Sequence, residues 1–243
     1  MIKFFRKIRY NLMSENKTGK YFKYAIGEIL LVVIGILIAL QINNWNQNRL
    51  EKVKSLEYHK RMVEELDLMI QTFKWDSTRG HNMTKRLISS VNSLEKETIS
   101  QEELDTLEYS LKNYFQFVRI DNTLNTFEEI KSSGDLGLIY NKDLRKSISM
   151  FLTRLNAISK IYDQLANQVN ESSLMDTYIR KQVYTDAKTE IEFNIAEMKQ
   201  DKVLINKLSR FTDNWKTKMS FSTSLIKLAT ELQSNIQLEI DND

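Results

Sequence analysis

A continuous apolar stretch near the N-terminus is the strongest pattern of hydrophobic and polar positions in the chain. Residues 24–42, YAIGEILLVVIGILIALQI, are apolar without interruption from Ile29 to Leu40. As an α-helix, a segment of this length extends about 28 Å, close to the ~30 Å hydrocarbon core of a bilayer. The pattern predicts one transmembrane helix over residues 24–42, between a tail at residues 1–23 and a large domain at residues 43–243.

The hydrophobic pattern after this segment has the spacing of long helices. One heptad register runs from Glu28, and between Leu56 and Phe73 its seam positions have the character of a coiled-coil or bundle helix. We therefore expect the membrane helix to continue outward to about Trp75. A break or kink is expected near Gly80, within residues 76–82.

Further helices follow from apolar spacing and from capping residues. Ser100 and Glu103 form a capping box that opens a helix extending to about Val118. The next predicted helix covers about residues 123–133 and ends at Gly134, which suits a left-handed C-terminal cap. Asn141 is expected to cap a helix that extends as far as Tyr184, and the last helix is expected over residues 201–238.

The composition supports an all-α fold. The chain contains no proline and six glycines, of which only three follow the apolar segment. Since proline and glycine are the main helix breakers, we predict an N-terminal transmembrane helix that continues into a bundle of long helices. The chain also lacks cysteine, which excludes disulfides and thiolate metal sites.

Charge predicts the orientation in the membrane. The first 23 residues contain seven Lys or Arg and one acid, Glu15, whereas the whole chain is +3, so the remainder is net negative. The positive-inside rule then places the N-terminus in the cytoplasm and residues 43–243 in the periplasm of a bacterial inner membrane. A cleaved signal peptide is the competing interpretation, but the end of the apolar run lacks a small-x-small cleavage pattern. The negative remainder argues against nucleic-acid binding.

The basic tail has its own predicted role. Residues 2–13 form a short amphipathic pattern, which is typical of a helix at the headgroup level. We expect contacts with anionic lipid headgroups through Lys3, Arg6, Lys7 and Arg9. The alternative is that these charges only set the topology.

No residue pattern indicates catalysis or a cofactor. The two histidines, His59 and His81, lie far apart and complete no metal-binding motif. His59 is expected at a polar or semi-exposed seam position. The acidic clusters at residues 64–67, 102–103 and 128–129 are interpreted as solvated helix faces, so no catalytic residue, metal or cofactor is predicted.

One face of the membrane segment suggests helix association. Gly35 and Ala39 form a small-xxx-small pair, and Glu28 lies on the same face. An ionisable group within a bilayer is costly, so Glu28 suggests a packing face for a second copy or a membrane partner. The alternative is that Glu28 reaches the headgroups beside Lys23 and that the small residues are incidental.

Two stretches of the chain carry a family resemblance. The opening MIKFFRKIRYNLMSENKTGKYFKYAIGEILLVVIGILIALQINNWNQ and the segment KSSGDLGLIYNKDLRKSI (131–148) resemble a family of single-pass membrane proteins of Bacteroidota, mainly flavobacteria. That family is defined as a domain of unknown function. The resemblance implies an inner-membrane protein with a helical extracytoplasmic domain, and it implies no activity and no site residues.

These observations favour a non-enzymatic, membrane-anchored module for protein–protein contact, such as a scaffold or accessory subunit. A sensor that couples the outer bundle to a membrane partner is the alternative. Its weakness is the tail of some 23 residues, which is too short for an output domain. An enzyme of unfamiliar type is the third hypothesis.

Overall fold

The computed structural model describes residue 10 and residues 18–170, 178–181 and 191–242. The chain divides into two compact units, Met1–Ser55 and Leu56–Asp243. The predicted lipid contacts Lys3, Arg6, Lys7 and Arg9 lie outside the described residues.

The described residues are mainly helical, and the prediction of an all-α fold with a long N-terminal helix and a helical bundle is confirmed. The helices, in chain order, are α1 (Thr18–Leu94), α2 (Gln101–Asn113), α3 (Asn125–Ser132), the 3₁₀ helix η1 (Asp135–Leu138), α4 (Lys142–Asn170), α5 (Ile195–Gln200) and α6 (Lys202–Asn242). Two short strands, β1 (Ile179–Lys181) and β2 (Ile191–Phe193), pair antiparallel.

The expected break near Gly80 is wrong, because residues 76–82 are helical within α1. Gly80 instead lies where α1 meets α6. A β-carbon on Gly80 would lie 3.2 Å from the β-carbon of Met219. The glycine therefore permits close helix packing, and the helix passes through it without interruption.

The buried stripe of α1 in the second unit differs slightly from the predicted seam. The heptad register predicts Val63 as a seam position, but Val63 is only partly buried, whereas its neighbour Met62 is fully buried. Leu66, Ile70 and Phe73 are buried as the heptad pattern indicates.

The ends of α2 combine a local signal with a tertiary one. Ser100 and Glu103 form both halves of the capping box, as the sequence indicates. The expected extension to Val118 is wrong, because α2 ends at Asn113. The carbonyl of Tyr114 accepts a hydrogen bond from Nε1 of Trp215 at 2.9 Å, so a tertiary contact takes up a backbone group at the helix end.

A side chain from α1 caps the short helix α3. Its N-cap residue, Leu124, offers no side-chain hydrogen bond. Oε1 of Glu65 instead accepts from the backbone N–H of Thr126 at 3.0 Å and from its hydroxyl at 2.5 Å. Glu65 is therefore more than part of a solvated face, since a carboxylate at a helix N-terminus satisfies orphan donors and favours the helix dipole.

The turn before α4 agrees with its sequence signals. Gly134 has φ +79°, in the left-handed region. Oδ1 of Asn141 accepts from the backbone N–H groups of Asp143 and Leu144 at 3.0 and 3.2 Å. The expected extension of this helix to Tyr184 is wrong, because α4 ends at Asn170 and residues 179–181 are a strand. Tyr184 itself lies outside the described residues.

Helices α1 and α6 run antiparallel in the second unit. Successive contacts join Val63 to Gln233, Ser77 to Thr223, and Gly80 to Met219, so the residue number falls along α6 as it rises along α1.

Together these two helices contribute to two apolar cores. The first core contains Met62, Leu66, Ile70 and Phe73 of α1 and Leu225, Ala229, Leu232 and Ile236 of α6, with residues from α3 and α4. The second core contains Met83, Leu87 and Leu94 of α1 and Leu204, Leu208, Phe211 and Trp215 of α6, with residues from α2.

Candidate functional site

The apolar segment of the first unit is exposed along its whole length. Its large apolar side chains from Ile26 to Leu40 have exposed fractions between 45 % and 66 %. The segment has a mean hydropathy of 2.6 over 18 residues, and none of that window is buried. By length and composition, α1 is therefore able to cross a membrane.

The predicted packing residues lie within this exposed segment. Glu28 is half-buried, and Gly35 and Ala39 are exposed. A β-carbon added at Gly35 would meet no atom within 4 Å. The small residues thus line an open helix face, and Glu28 lies about two turns before Gly35 and about three turns before Ala39 on the same helix.

A buried polar cluster in the second unit was not predicted from the sequence. Lys218 of α6 and Asp76 of α1 form an ion pair, with side chains that are 0 % and 6 % exposed. Ser222 donates to Oδ2 of Asp76 at 2.7 Å. The hydroxyl of Tyr162, from α4, donates to the carbonyl of Lys218 at 2.6 Å and lies 2.7 Å from Oγ of Ser222. We call Asp76, Tyr162, Lys218 and Ser222 the polar layer.

Three aromatic rings surround the ammonium of the polar layer. Nζ of Lys218 lies 5.5, 5.3 and 5.4 Å from the ring centroids of Phe117, Tyr162 and Trp215. These distances are within the range of cation–π attraction. The rings and the carboxylate of Asp76 together provide the electrostatic stabilisation that water gives to an exposed ammonium group.

The environment shifts two pKa values in this layer. Burial lowers the pKa of Lys218, while the charge of Asp76 and its hydrogen bond oppose that change. Burial raises the pKa of Tyr162 above its ordinary value, so the phenol keeps its proton and remains a donor. With no exposed lysine surface, the cluster is arranged to join helices α1, α4 and α6, and it offers a solute no access in this structure.

Two of the surface grooves of the second unit lie beside α6. One has a volume of about 650 Å³ and lies beside residues 94–97, with Lys199, Lys202, Ile205 and Asn206 on the other side. Nζ of Lys199 already donates to the carbonyls of Lys96 and Glu97 there, at 2.5 and 2.9 Å. The other groove, about 330 Å³, lies between α4 and α6 and is mostly apolar, with Met150 56 % exposed.

The histidines behave differently from each other. His59 is buried, with 1 % of its surface exposed, so its expected semi-exposed position is wrong; it lies in the buried stripe of α1. His81 is exposed. Among the described residues, no group of three or more His, Cys, Asp or Glu side chains is placed to hold a metal ion.

Comparison with protein-family models, with curated proteins and with solved structures finds no match to this chain.

Proposed function

We propose that this protein is a non-enzymatic, membrane-anchored helical module. Residues 24–42 cross the bacterial inner membrane, residues 1–23 remain in the cytoplasm, and residues 43–243 are presented in the periplasm. There the helical bundle contacts other proteins as a scaffold or accessory subunit.

The exposed apolar segment of α1 is the observation that carries this proposal. Residues of the Leu, Ile and Val type at the centre of a membrane helix favour insertion by about 0.3–0.6 kcal/mol each. An uninterrupted run of them, none of it buried by the other described residues, suits a medium as apolar as lipid. The basic tail supports the proposed orientation through the positive-inside rule.

The groove between α4 and α6 supports a role in protein contact. Met150 projects half-exposed beside the buried ring of Phe151, and Arg154 and Glu231 provide charged walls. A flexible apolar side chain within a polar rim is a common composition of protein interfaces.

Reporter fusions test the anchoring. Alkaline phosphatase fused after Asp243 should be active, whereas a fluorescent protein that folds only in the cytoplasm should be dark at the same position. A control fusion to a chain that lacks residues 24–42 should reverse both results. An inactive phosphatase with a bright fluorescent protein on the intact chain would overturn the orientation.

Affinity purification from detergent-solubilised native membranes tests the contact role. We expect the full-length protein to retain a stoichiometric partner and Met150→Lys to lose it. Val203→Lys, at an apolar side chain of α6 that is 63 % exposed but outside this groove, is the matched control and should retain the partner. Equal recovery with both variants would place the contact elsewhere, and no recovery with any of them would overturn the role.

A further inference from the structure

The polar layer lies between the two apolar cores of the second unit. Along α1, Asp76 lies between Phe73 of the first core and Met83 of the second. Along α6, Lys218 and Ser222 lie between Trp215 and Leu225. Both helices therefore change from apolar to polar and back to apolar at the same height, and the polar residues meet.

Stability alone does not account for this arrangement. Removing two charges from water costs several kcal/mol per ion, and the attraction between them only offsets that cost when geometry and hydrogen bonding are good. Apolar side chains of similar volume often stabilise a protein as well or better at such a position. The buried pair is best explained by the alternative alignments of α1 and α6 that it disfavours.

The apolar contacts alone would oppose a sliding movement of α6 along α1 only weakly. Within the first core, both helices present apolar side chains every three or four residues, such as Met62, Leu66 and Ile70 on α1 and Leu225, Ala229 and Leu232 on α6. A shift of one turn would therefore bring apolar side chains against apolar side chains again. Such a shift would also bury Asp76 and Lys218 against apolar groups without each other, which is strongly unfavourable.

Two neighbouring contacts occur at the same height. Oγ of Ser77 lies 3.3 Å from Oγ1 of Thr223. Gly80 packs against Met219 with room for no more than a small side chain. These contacts are specific to the native register. A weak exposed hydrogen bond and one glycine nevertheless permit other alignments of the two helices, whereas the buried charges do not.

We propose that the Asp76–Lys218 pair is a register lock, which fixes the alignment of the antiparallel helices α1 and α6 and selects one packing of the bundle among several of similar apolar burial. Tyr162 and Ser222 orient the pair, since Ser222 holds the second carboxylate oxygen and Tyr162 holds the backbone of Lys218. The proposal is independent of the membrane topology and of any partner.

Disulfide trapping in the full-length protein in mild detergent tests the lock. The chain contains no cysteine, so introduced pairs report register without background. Ser77→Cys with Thr223→Cys reports the native alignment. Ser77→Cys with Lys227→Cys reports a one-turn shift in one direction, and Lys74→Cys with Thr223→Cys reports a shift in the other. Disulfides need β-carbons about 3.5–4.5 Å apart, so the pairs discriminate one turn.

With Asp76 and Lys218 intact, we expect the native pair to crosslink at least ten times faster than either shifted pair. In Asp76→Leu/Lys218→Met, which replaces the ion pair by apolar side chains, at least one shifted pair should crosslink at a rate within threefold of the native pair. Helix content by circular dichroism should remain unchanged, because the apolar cores are intact.

The proposal would be overturned if the native cysteine pair remained the only one that crosslinks rapidly in Asp76→Leu/Lys218→Met. The cores and Gly80 would then be sufficient to fix the register. If that variant loses its cooperative melt through overpacking, Asp76→Ala/Lys218→Met removes the same pair with less bulk and is judged by the same criterion. Loss of folding in both variants would also overturn the proposal, because the pair would then be required for stability.

Discussion

At the scale of single residues, the most informative positions are those where a side chain, or its absence, serves a distant element. Gly80 admits α6, Glu65 caps α3, and Asp76 pairs across the bundle with Lys218. The local sequence does not identify the partner of any of these residues, because each partner lies more than sixty residues away.

Bulk at Gly80 should crowd the contact between α1 and α6. Gly80→Ala gains helix propensity, about 1 kcal/mol at most, but its β-carbon presses on Met219, so we expect stability within about 1 kcal/mol of the wild type. Gly80→Leu should destabilise the protein by about 1–3 kcal/mol through overpacking. Chemical denaturation in mild detergent measures both.

Gly137→Leu is the control for bulk, because a β-carbon at Gly137 meets nothing within 4 Å. It should change stability by no more than about 0.5 kcal/mol. If Gly80→Leu were as silent as this control, the contact between Gly80 and Met219 would not be close in solution.

Glu103 should make the folding stability depend on pH in the acidic range. Hydrogen bonds from Lys96 first, and then from the backbone and hydroxyl of Ser100, lower the pKa of Glu103 from 4.5 to about 2. A carboxyl group with a depressed folded-state pKa stabilises the folded protein above pH 4.5, and this contribution is lost as the pH falls from 4.5 to 2. Glu103→Gln should therefore lower the Tm at pH 6 and leave it unchanged near pH 2.

Thermal melts at pH 6, 4 and 2 would follow this convergence. Lys96→Gln removes the largest cause of the pKa shift and should give an intermediate pH dependence. A Glu103→Gln variant whose Tm differs from that of the wild type by the same amount at every pH would contradict the assignment.

At the scale of elements, helix α1 carries two kinds of surface. Within the first unit its apolar side chains face outward on all sides, as expected for a helix in lipid. Within the second unit only one stripe is buried, as expected for a helix on the side of a core. The change in pattern occurs near Ser55, where the two units divide.

The face of α1 that holds Glu28, Gly35 and Ala39 should tolerate bulk poorly if it packs against another helix. Gly35→Ile should then reduce crosslinked complexes several-fold in native membranes without reducing insertion, because isoleucine is at least as apolar as glycine. Glu28→Gln should have a smaller effect than Glu28→Leu, since the amide retains hydrogen-bonding capacity.

Ile36→Leu, which lies off this face, is the control and should have no effect on the complexes. Wild-type crosslinking in Gly35→Ile and in Glu28→Leu would mean that the segment serves only as an anchor.

At the scale of the whole molecule, the sequence predicts the class of fold better than the ends of the helices and the segments that connect them. Apolar spacing and the lack of proline were sufficient for the long helices, and Ser100, Gly134 and Asn141 marked helix ends through local chemistry. The end of α2 could not be predicted, because the apolar spacing continues past Asn113 and the Tyr114 carbonyl bonds Trp215, a hundred residues later. The strands after α4 were missed because the helical pattern there gave no stop signal.

The polar layer has a signal in the sequence. Asp76 continues the spacing of Leu66, Ile70 and Phe73, and Lys218 occupies the buried stripe between Trp215 and Leu225. A charged residue in each of two apolar seams, with opposite signs, indicates a buried pair. Sequence alone could not pair them, since it does not fix the alignment of α1 with α6.

Because the two cores are separate, substitutions in them should cause additive losses of folding stability. Leu66→Ala in the first core and Leu87→Ala in the second should each cost about 2–5 kcal/mol, because both side chains are fully buried. The two residues lie about 30 Å apart along α1, so the double variant should match the sum within about 0.5 kcal/mol.

Leu68→Ala is the matched surface control, since Leu68 is 64 % exposed on the same helix. It should cost less than about 0.5 kcal/mol. A coupling energy well above 0.5 kcal/mol between Leu66 and Leu87 in denaturant titrations would show that the two cores respond as one.

The participation of α6 in both cores has a consequence for biosynthesis. Helix α1 leaves the ribosome early, and α6 follows every other described element of the chain. Neither core is complete until α6 has been synthesised, so the apolar stripe of α1 stays uncovered while most of the chain is made. Contacts between such distant segments form slowly and expose apolar surface during folding. The nascent chain therefore depends, for the time between synthesis of α1 and synthesis of α6, on whatever protects unfolded segments as they emerge from the ribosome.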